Sequence, residues 1–501
     1  MSGVHKQLNS AYAPANRFNR FGSVLERLHI RGFRGHKDTS IEFSHPVIAF
    51  CGPNGSGKST VLEIAACCYK NGGGRTYHIP DFIPAGELDR APFAQDASVE
   101  VAYCQQSLNP EDRPKALTIA RSAENSRWKG YDRRPEKNVL FIGHGRHLPR
   151  SERRDLLRDM AENGKLVGST ELPKVVRECA SQVLAREYTT LNEAALARDS
   201  DGAQAIMVER RGVDCAYSEL QMGCGEARIL SLSLALETAP DKSLILLEEP
   251  ESAVHFAAQG RLGHYFLDVA LRKGHQILLT THSEHLLRTL PMPSRVYLEP
   301  TAEGVVTIPG LTSGQAASLM SDGFDAAISI FVEDECAKHI LQQLLRRFEP
   351  SLLRSANIVV GGYTDDDGNV IGSGVANIRN AMATLRNAKV KVAAVVDGNE
   401  SAKPSAFVFK LPGKGAPEEE LFGSPAVQAM WAKQYPPLDV AAFLTTLKGT
   451  DIHQWFTHLA RQVKVDPTFL VGEAARAYAE GINGAEPTTL IAQLKDTVSK
   501  A

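Results

Sequence analysis

A glycine-rich loop between an apolar run and a helical stretch is the first candidate for chemistry in this chain. Residues 52–60 read Gly-Pro-Asn-Gly-Ser-Gly-Lys-Ser-Thr and directly follow the apolar run 47–51. Glycines let successive backbone N–H groups converge on phosphate oxygens, and a helix amino terminus adds partial positive charge. The spacing GxxxxGK[ST] between a strand and a helix therefore predicts a nucleotide site, with Lys58 on the terminal phosphates and Ser59 on magnesium. The predicted ATP-binding residues are Gly52, Pro53, Asn54, Gly55, Ser56, Gly57, Lys58, Ser59 and Thr60.

Two later segments carry acids and a histidine of the kind that nucleotide hydrolysis uses. Residues 243–251, SLILLEEPE, are an apolar strand that ends in acids. This pattern predicts Glu248 as a magnesium ligand and Glu249 beside the attacking water, which it would polarise as a general base. His282 follows the next apolar run, in LLTTHS, and is predicted to contact the γ-phosphate. A lone loop histidine usually has no such role, but the position after a double-acid strand favours catalysis.

A third segment points to a second copy of the chain. Gly223, Cys224, Gly225 and Glu226 precede an apolar helical stretch that continues to Glu237. The amino terminus of such a helix cannot reach the phosphates bound by its own glycine-rich loop. We therefore expect it to close the nucleotide site of a partner chain, acting in trans.

Composition narrows the class of protein. The chain has 501 residues, which is too long for one core and indicates two or three domains. Its net charge of −2 means that any nucleic-acid contact must come from local basic patches, of which residues 146–158 are the strongest. Such a stretch is more often a solvated helix face. Eight scattered cysteines without a CxxC pair disfavour zinc and suit a reducing compartment.

The apolar runs and the amino-terminal sequence indicate the compartment in which the protein works. No apolar run approaches about 18 residues, so the sequence predicts no membrane span. The amino terminus lacks the apolar region of a signal peptide. We expect a cytoplasmic protein that makes no membrane contact.

Changes in pattern along the chain predict five segments and an α/β fold. We expect a polar arm (1–22), an ATPase domain (23–290) that opens with a β-hairpin, a connector (291–327), a second α/β domain (328–422) and a helical carboxy-terminal region (423–501). Residues 151–198 are charged and helix-prone. Alternating strands and helices in both domains predict largely parallel sheets.

The order of the three motifs resembles ABC/SMC-type ATPases. The form GCGEARIL…LLEEPESAVH…ILLTTHS is similar to the overcoming-lysogenisation-defect (OLD) family and its AAA15-type relatives, over about residues 23–290. The resemblance implies an ABC-type P-loop head that binds and hydrolyses ATP with Mg²⁺. It also implies a head-to-head dimer, or a higher oligomer, in which each site combines Lys58 of one chain with Gly225 of the other.

This chain departs from the family pattern at several positions. Gly223 stands where the family has a signature serine, and Glu248 stands where it has an aspartate. Two stretches are candidates for the Q-loop of the family: Gln105-Gln106, and FIGHGRHLP at 141–149. The absence of heptads disfavours coiled-coil SMC and Rad50-type proteins.

The second α/β segment resembles a TOPRIM domain. Glu333 follows the run ISIFV as the first TOPRIM acid does, and Asp397 follows VKVAAVV as the first acid of DxD does. The resemblance makes Glu333 and Asp397 candidate metal ligands. Asn399 replaces the second DxD acid, which weakens a magnesium site. Glu400 and the run TDDDG (364–368) are alternative sources of acid, and the favoured interpretation is a degenerate domain kept for structure or docking.

These resemblances lead to three hypotheses for function. The first is an OLD-like ATPase of a bacterial anti-phage defence system, similar to the ATPase subunits of Septu- or PARIS-type systems, that controls a partner nuclease or toxin. The second is a self-contained OLD-type, Mg²⁺-dependent DNA nuclease, and the third is a RecF-like DNA-repair ATPase. DNA and a phage component are further candidate partners.

Overall fold

The computed structural model divides the chain into two compact units, residues 1–311 and 312–501. It describes residues 2–72, 74–89, 92–104, 116–122, 127–143, 164–198, 201–210, 216–219, 221–320, 326–364, 370–372, 374–387 and 390–500. Within those ranges, no helix is both long enough and apolar enough to cross a bilayer.

The first unit contains strands in three sheets, with helices between them. Its strands are β1 Leu25–Phe33, β2 His36–Glu42, β3 Val47–Cys51, β4 Phe93–Tyr103, β5 Leu117–Arg121, β6 Trp128–Lys129, β7 Val139–Ile142, β8 Lys165–Glu171, β9 Tyr188–Arg198, β10 Asp201–Arg210, β11 Tyr217–Ser218, β12 Leu244–Glu248, β13 Gln276–Thr280, β14 Arg295–Thr301 and β15 Gly304–Pro309. Its α-helices are Ser2–Ala11, Pro14–Phe21, Lys58–Ala66, Ile79–Phe82, Lys174–Leu184, Cys224–Thr238, Phe256–Lys273 and Glu284–Thr289.

The central sheet of this unit positions the predicted nucleotide motifs. Its order is β15-β14-β3-β13-β12-β7, and all neighbours except β14 and β15 are parallel. Every residue of β3 and of β13 is buried, as expected for strands covered on both faces. Thr280 pairs with Phe50 on one side and with Glu248 on the other. The carboxyl ends of β3, β13 and β12 therefore lie level, and the loops that follow them meet at one edge of the sheet.

The other two sheets of the first unit are antiparallel. The first has the order β2-β1-β4-β5-β6 and contains the predicted β-hairpin, which closes at the pair Phe33 and His36. The second has the order β11-β10-β9-β8. Strands β8 and β9 fall in the segment 151–198 that looked helix-prone, so that prediction was wrong for them. They are strands because each pairs along most of its length within this sheet, an interaction that local propensity does not encode.

Two predicted boundaries of the first unit need correction. The predicted arm, 1–22, forms two helices that dock on the unit, with Leu8 and Phe21 fully buried and the Tyr12 hydroxyl donating to the Phe43 carbonyl at 3.3 Å. The predicted connector, 291–327, is not a separate segment either. Its strand β14 pairs with β3 and extends the central sheet, so the first unit continues to residue 311.

The second unit is built on a four-stranded parallel sheet of order β17-β16-β20-β21. Its strands are β16 Ile328–Val332, β17 Ala356–Val360, β18 Gly362–Thr364, β19 Val370–Gly372, β20 Val392–Val396 and β21 Val408–Lys410. Its α-helices are Ser313–Met320, Glu335–Phe348, Pro350–Ser355, Gly374–Asn387, Pro417–Gly423, Pro425–Gln434, Val440–Thr446, Trp455–Val463, Pro467–Gly481 and Ala485–Lys500.

The predicted second domain and the helical region share one core. Ile330 of β16 and Leu341 of the following helix pack in the same buried cluster as Trp431, Leu459 and Leu494. An amphipathic helix needs a partner for its apolar face, and the carboxy-terminal helices provide it here. Residues 328–422 and 423–501 therefore form one unit.

Candidate nucleotide site

The glycine-rich loop adopts a conformation that its glycines make accessible. Gly52, Gly55 and Gly57 have φ values of 147°, 78° and 85°, a region that other residues rarely enter. A Cβ on Gly57 would lie 2.2 Å from the Nε2 atom of His36, and that nitrogen hydrogen-bonds the Gly57 carbonyl at 3.1 Å. The buried His36 therefore fixes the loop where the helix Lys58–Ala66 begins.

Lys58 lies inside this loop rather than in solvent. Its ammonium donates to the Gly52 carbonyl at 3.0 Å and to the Pro53 carbonyl at 2.9 Å. Burial lowers the pKa of Lys58, while the nearby Glu249 carboxylate acts in the opposite direction. The ammonium is thus held at the loop by carbonyls, which an anionic ligand can replace.

The predicted catalytic pair lies together at the edge of the sheet. Glu249 follows β12 and His282 follows β13, and the Glu249 Oε1 atom is 3.7 Å from the His282 Nε2 atom. Burial lowers the pKa of His282, as does the positive charge of Lys58, while Glu249 raises it. The structure therefore places Lys58, Glu249 and His282 close enough to influence one another's charge.

The residues present fit a magnesium-bound nucleoside triphosphate. Ser59 is exposed on the first turn of the loop helix, and the Ser56 hydroxyl is buried without a hydrogen-bond partner among the described residues. Within those residues, and apart from Gly55 and its two chain neighbours, no atom lies within 4 Å of a Cβ built on Gly55. These features leave donors and space for phosphate oxygens at the helix amino terminus.

Arg228 is a residue of this site that sequence reasoning missed. Glu249 has a φ of 42°, a left-handed conformation that costs a non-glycine residue roughly 1–3 kcal/mol. Its N–H donates to the Thr280 carbonyl at 3.1 Å, and its carbonyl accepts from Arg228 Nη2 at 2.5 Å. Arg228 also donates to the carbonyls of Glu248 and Ser252, both at 3.3 Å. We call the helix Cys224–Thr238 the signature helix, and the turn at residues 248–252 the catalytic turn. Through Arg228, the signature helix fixes the backbone of the catalytic turn.

We expect Arg228→Lys to lower the ATP hydrolysis rate by about 10- to 100-fold, because a small displacement of Glu249 from the attacking water is costly. A lysine keeps the charge but cannot hold three carbonyls in the fixed fork of a guanidinium. Steady-state hydrolysis and ATP affinity should be measured together, with Arg288→Lys on an exposed helix face as the matched control. An unchanged rate in Arg228→Lys would show that the hydrogen bonds from Arg228 to these three carbonyls do not position Glu249.

Glu251 is a second residue that sequence reasoning missed, although it is the last acid of EEPE. It is buried, and its Oε1 atom accepts from the Thr281 hydroxyl at 2.6 Å and from the His282 N–H at 3.0 Å. Burial raises the pKa of Glu251, and these hydrogen bonds oppose that shift. Its position indicates that it orients the loop carrying His282.

The four predicted signature residues have different surroundings. Around Gly223, no described atom lies within 4 Å of a Cβ built on it, whereas a Cβ on Gly225 would lie 2.3 Å from the Ala253 carbonyl oxygen. Cys224 is half-buried. The Glu226 carboxylate accepts from Tyr188 and Tyr217 and pairs with Arg186 at 2.9 Å. Gly225 and Glu226 are thus engaged within their own unit, and Gly223 is the member of the set that is open to a partner.

The predicted TOPRIM-like acids lie at the carboxyl ends of neighbouring parallel strands in the second unit. The Asp397 N–H donates to Glu333 Oε1 at 2.9 Å. Asn399 and Glu400 are exposed in the turn after β20. The structure brings Glu333 and Asp397 together, and it leaves Asn399 at the surface.

Some sequence predictions lie outside the described residues. These are Gln105 and Gln106, residues 144–149 of the alternative Q-loop stretch, the basic stretch 146–158 and residues 365–368 of TDDDG.

Two family models of AAA domains match parts of the first unit. A family model described as "AAA domain" matches residues 27–135, and one described as "AAA domain, putative AbiEii toxin, Type IV TA system" matches residues 82–288. A stretch of 60 residues is 39% identical to the DNA replication and repair protein RecF of Protochlamydia amoebophila (strain UWE25). That stretch spans 12% of this chain and 17% of the RecF protein.

Two solved structures of SMC heads are also similar. The SMC head domain from Thermotoga maritima aligns with a TM-score of 0.34 at 16% identity, covering 57% of this chain and 98% of that one. The Pyrococcus furiosus Smc head with an extended coiled coil, bound to the C-terminal domain of ScpA, aligns with a TM-score of 0.38 at 12% identity, covering 60% of this chain and 99% of that one.

The site and the family models together define the class of protein. The first unit is an ABC-type P-loop ATPase domain, with its glycine-rich loop, acidic strand end and histidine loop at one edge of a parallel sheet. ATPases of this kind use ATP with Mg²⁺.

Proposed function

We propose that this chain is the ATPase of a bacterial anti-phage defence system and acts as a nucleotide-dependent switch that controls a partner nuclease or toxin. The observation that carries the proposal is the open amino terminus of the signature helix, where Gly223 is uncovered while Gly225 and Glu226 pack within their own unit. An open phosphate-binding end that its own loop does not use fits closure over a second chain. ATP then holds two heads together, and hydrolysis releases them.

Each group in the site has a distinct task in this proposal. Lys58 and the loop N–H groups bind the phosphates, Ser59 and Glu248 hold magnesium, and Glu249 orients and polarises the attacking water. A magnesium ion held there would supply positive charge that stabilises the transferred phosphate. His282 contacts the γ-phosphate, so its loop, fixed by Glu251, senses whether ATP or ADP is bound. In this proposal the γ-phosphate therefore takes part both in hydrolysis and in the contact between two chains.

Two facts support the defence role over a general repair role. The family model over residues 82–288 is described by a putative toxin of a type IV toxin–antitoxin system. The chain also carries a second unit of about 190 residues, 312–501, which an ATPase head does not need for its own hydrolysis. In this proposal the second unit docks the nuclease or toxin.

A phage challenge of cells that carry this chain with its neighbouring genes tests the proposal. Lys58→Ala should abolish protection because it removes ATP binding, and tagged wild-type protein should co-purify a nuclease or toxin encoded nearby. Arg288→Lys is the control for expression. Equal protection by wild type and Lys58→Ala would contradict the switch.

A second candidate function is a self-contained, metal-dependent DNA nuclease, favoured by the hydrogen bond that holds the Glu333 carboxylate against the Asp397 backbone N–H. Purified protein would then nick DNA in the presence of a divalent metal, and Glu333→Ala would abolish the nicking. Absence of nicking by the wild type would exclude this candidate.

A further inference from the structure

Three polar side chains from separate segments of the second unit converge beside Asp397. One carboxylate oxygen of Asp334, one of Glu418 and one ring nitrogen of His453 all lie within 4.8 Å of one another. The Nδ1 atom of His453 is 3.3 Å from Glu418 Oε1. None of the three belongs to the pair Glu333 and Asp397 that the sequence predicted, and His453 lies in the segment predicted to be only helical.

The fold holds each of the three side chains in place. Asp334 caps the helix Glu335–Phe348, where its Oδ1 atom accepts from the Ala337 N–H at 2.7 Å. A Cβ on Gly398 would lie 2.9 Å from backbone atoms of Gly413 and Gly415, so the turn after β20 packs closely on the loop that leads to Glu418. His453 lies in the short 3-10 helix Ile452–Gln454, whose start is capped by Asp451. The cluster is thus built from fixed backbone.

The cluster contains buried oxygens that lack partners. Asp397 is 8% exposed and Glu418 is 5% exposed. Over the described ranges, Asp397 Oδ1 and Glu418 Oε2 are buried without any hydrogen-bond partner. An unpaired buried carboxylate oxygen costs free energy that a bound cation recovers.

The cluster also contains more acidic than basic side chains. Burial, followed by repulsion from Glu333, Asp334, Glu418 and Glu400, raises the pKa of Asp397 to about 8. The pKa of Glu418 is also raised, by burial and by Asp334, with His453 acting in the opposite direction. These shifts reflect repulsion between carboxyl groups that the fold brings close together.

We propose that Asp334, Glu418 and His453 form a binding site for a first-row divalent transition cation, of the class of Mn²⁺ or Zn²⁺. Two carboxylates and one imidazole match the mixed oxygen and nitrogen donors that these ions accept. Magnesium prefers oxygen donors, so the histidine disfavours it here. His453 is exposed, with 61% of its side chain accessible, which gives the ion a path from solvent.

The site also explains how the second unit could hold a metal although Asn399 has replaced a carboxylate. The missing acid is at an exposed turn position, whereas Glu418 and His453 reach the same acidic cluster from other segments. This inference does not depend on the proposed ATPase switch, because all of its residues lie in the unit 312–501.

Binding of Mn²⁺ to the full-length, nucleotide-free protein, followed by the electron paramagnetic resonance signal of free Mn²⁺, tests the proposal. Wild type should bind Mn²⁺ at a site that is lost in Glu418→Gln and weakened about tenfold or more in His453→Asn. His458→Asn, on the helix Trp455–Val463, is the matched control and should bind as wild type does. Because His453 is exposed, its variant should fold even if the buried Glu418→Gln does not.

Two further measurements distinguish Mn²⁺ bound at this site from Mn²⁺ bound non-specifically elsewhere. Trp455 follows His453 closely in the chain, and its Nε1 donates to the Thr450 hydroxyl at 3.0 Å. Paramagnetic Mn²⁺ should therefore quench tryptophan fluorescence in wild type and in His458→Asn, but much less in His453→Asn. Equal Mn²⁺ affinity and equal quenching in wild type and His453→Asn would overturn the site. Displacement of Mn²⁺ by an equal concentration of Mg²⁺ would overturn the assigned class of cation.

Discussion

Glu249→Gln should slow ATP hydrolysis by about 100-fold or more while ATP still binds, because an amide cannot accept a proton from the attacking water. The substitution is nearly isosteric, and the features that fix the turn act mainly on the Glu249 backbone through Thr280 and Arg228. The catalytic turn should therefore keep its shape. The Glu249→Gln protein should accumulate with ATP bound, in the closed, dimeric state.

Single-turnover hydrolysis and nucleotide binding measure this directly. Glu284→Gln, which alters a carboxylate at the amino end of the helix Glu284–Thr289 in the same unit, should hydrolyse ATP at the wild-type rate. Turnover by Glu249→Gln at the wild-type rate would show that another residue activates the water.

Gly223→Asp is expected to abolish ATP-dependent pairing and to lower hydrolysis by about 100-fold or more, because it places a carboxylate where the partner's γ-phosphate must bind. Gly223 is the N-cap of the signature helix and has an extended backbone, with φ −64° and ψ 148°. Aspartate is a favoured N-cap residue, so the variant should be at least as stable as wild type. Loss of function with unchanged or higher stability separates a contact with a partner from a folding defect.

Gly223→Ser is the matched control for this variant. Serine is also a favoured N-cap residue, but it is neutral. We expect it to retain pairing and hydrolysis, as measured by light scattering with and without ATP and by steady-state rate. If Gly223→Asp hydrolyses ATP like Gly223→Ser, the signature helix does not meet a phosphate.

The parts of the site that sequence could predict are those set by short local patterns. Gly52, Gly55 and Gly57 and the residues around them determine the phosphate loop, because the left-handed backbone positions need glycine. Glu249 and His282 follow apolar runs, and strands of a parallel sheet end at one edge, so their proximity followed from order alone. The packed α/β fold was predictable for the same reason.

The parts that could not be predicted depend on contacts between distant segments. Arg228 looks like an ordinary polar residue of a helix until its guanidinium is seen on the carbonyls of the catalytic turn. Strand β14 looked like part of a connector because pairing with β3 has no local signal. Glu418 and His453 are separated in the chain and meet only through the packing of the second unit.

The proposed switch requires nucleotide sites shared between two chains, and a mixing experiment tests that requirement directly. Lys58→Ala and Gly223→Asp proteins should each be inactive alone, since each lacks one half of every site. Mixed without nucleotide and then given ATP, they should recover up to about half of the wild-type rate, because only mixed pairs can form and each mixed pair has one intact site of two. If the mixture stays as inactive as its separate components, the signature helix does not act in trans.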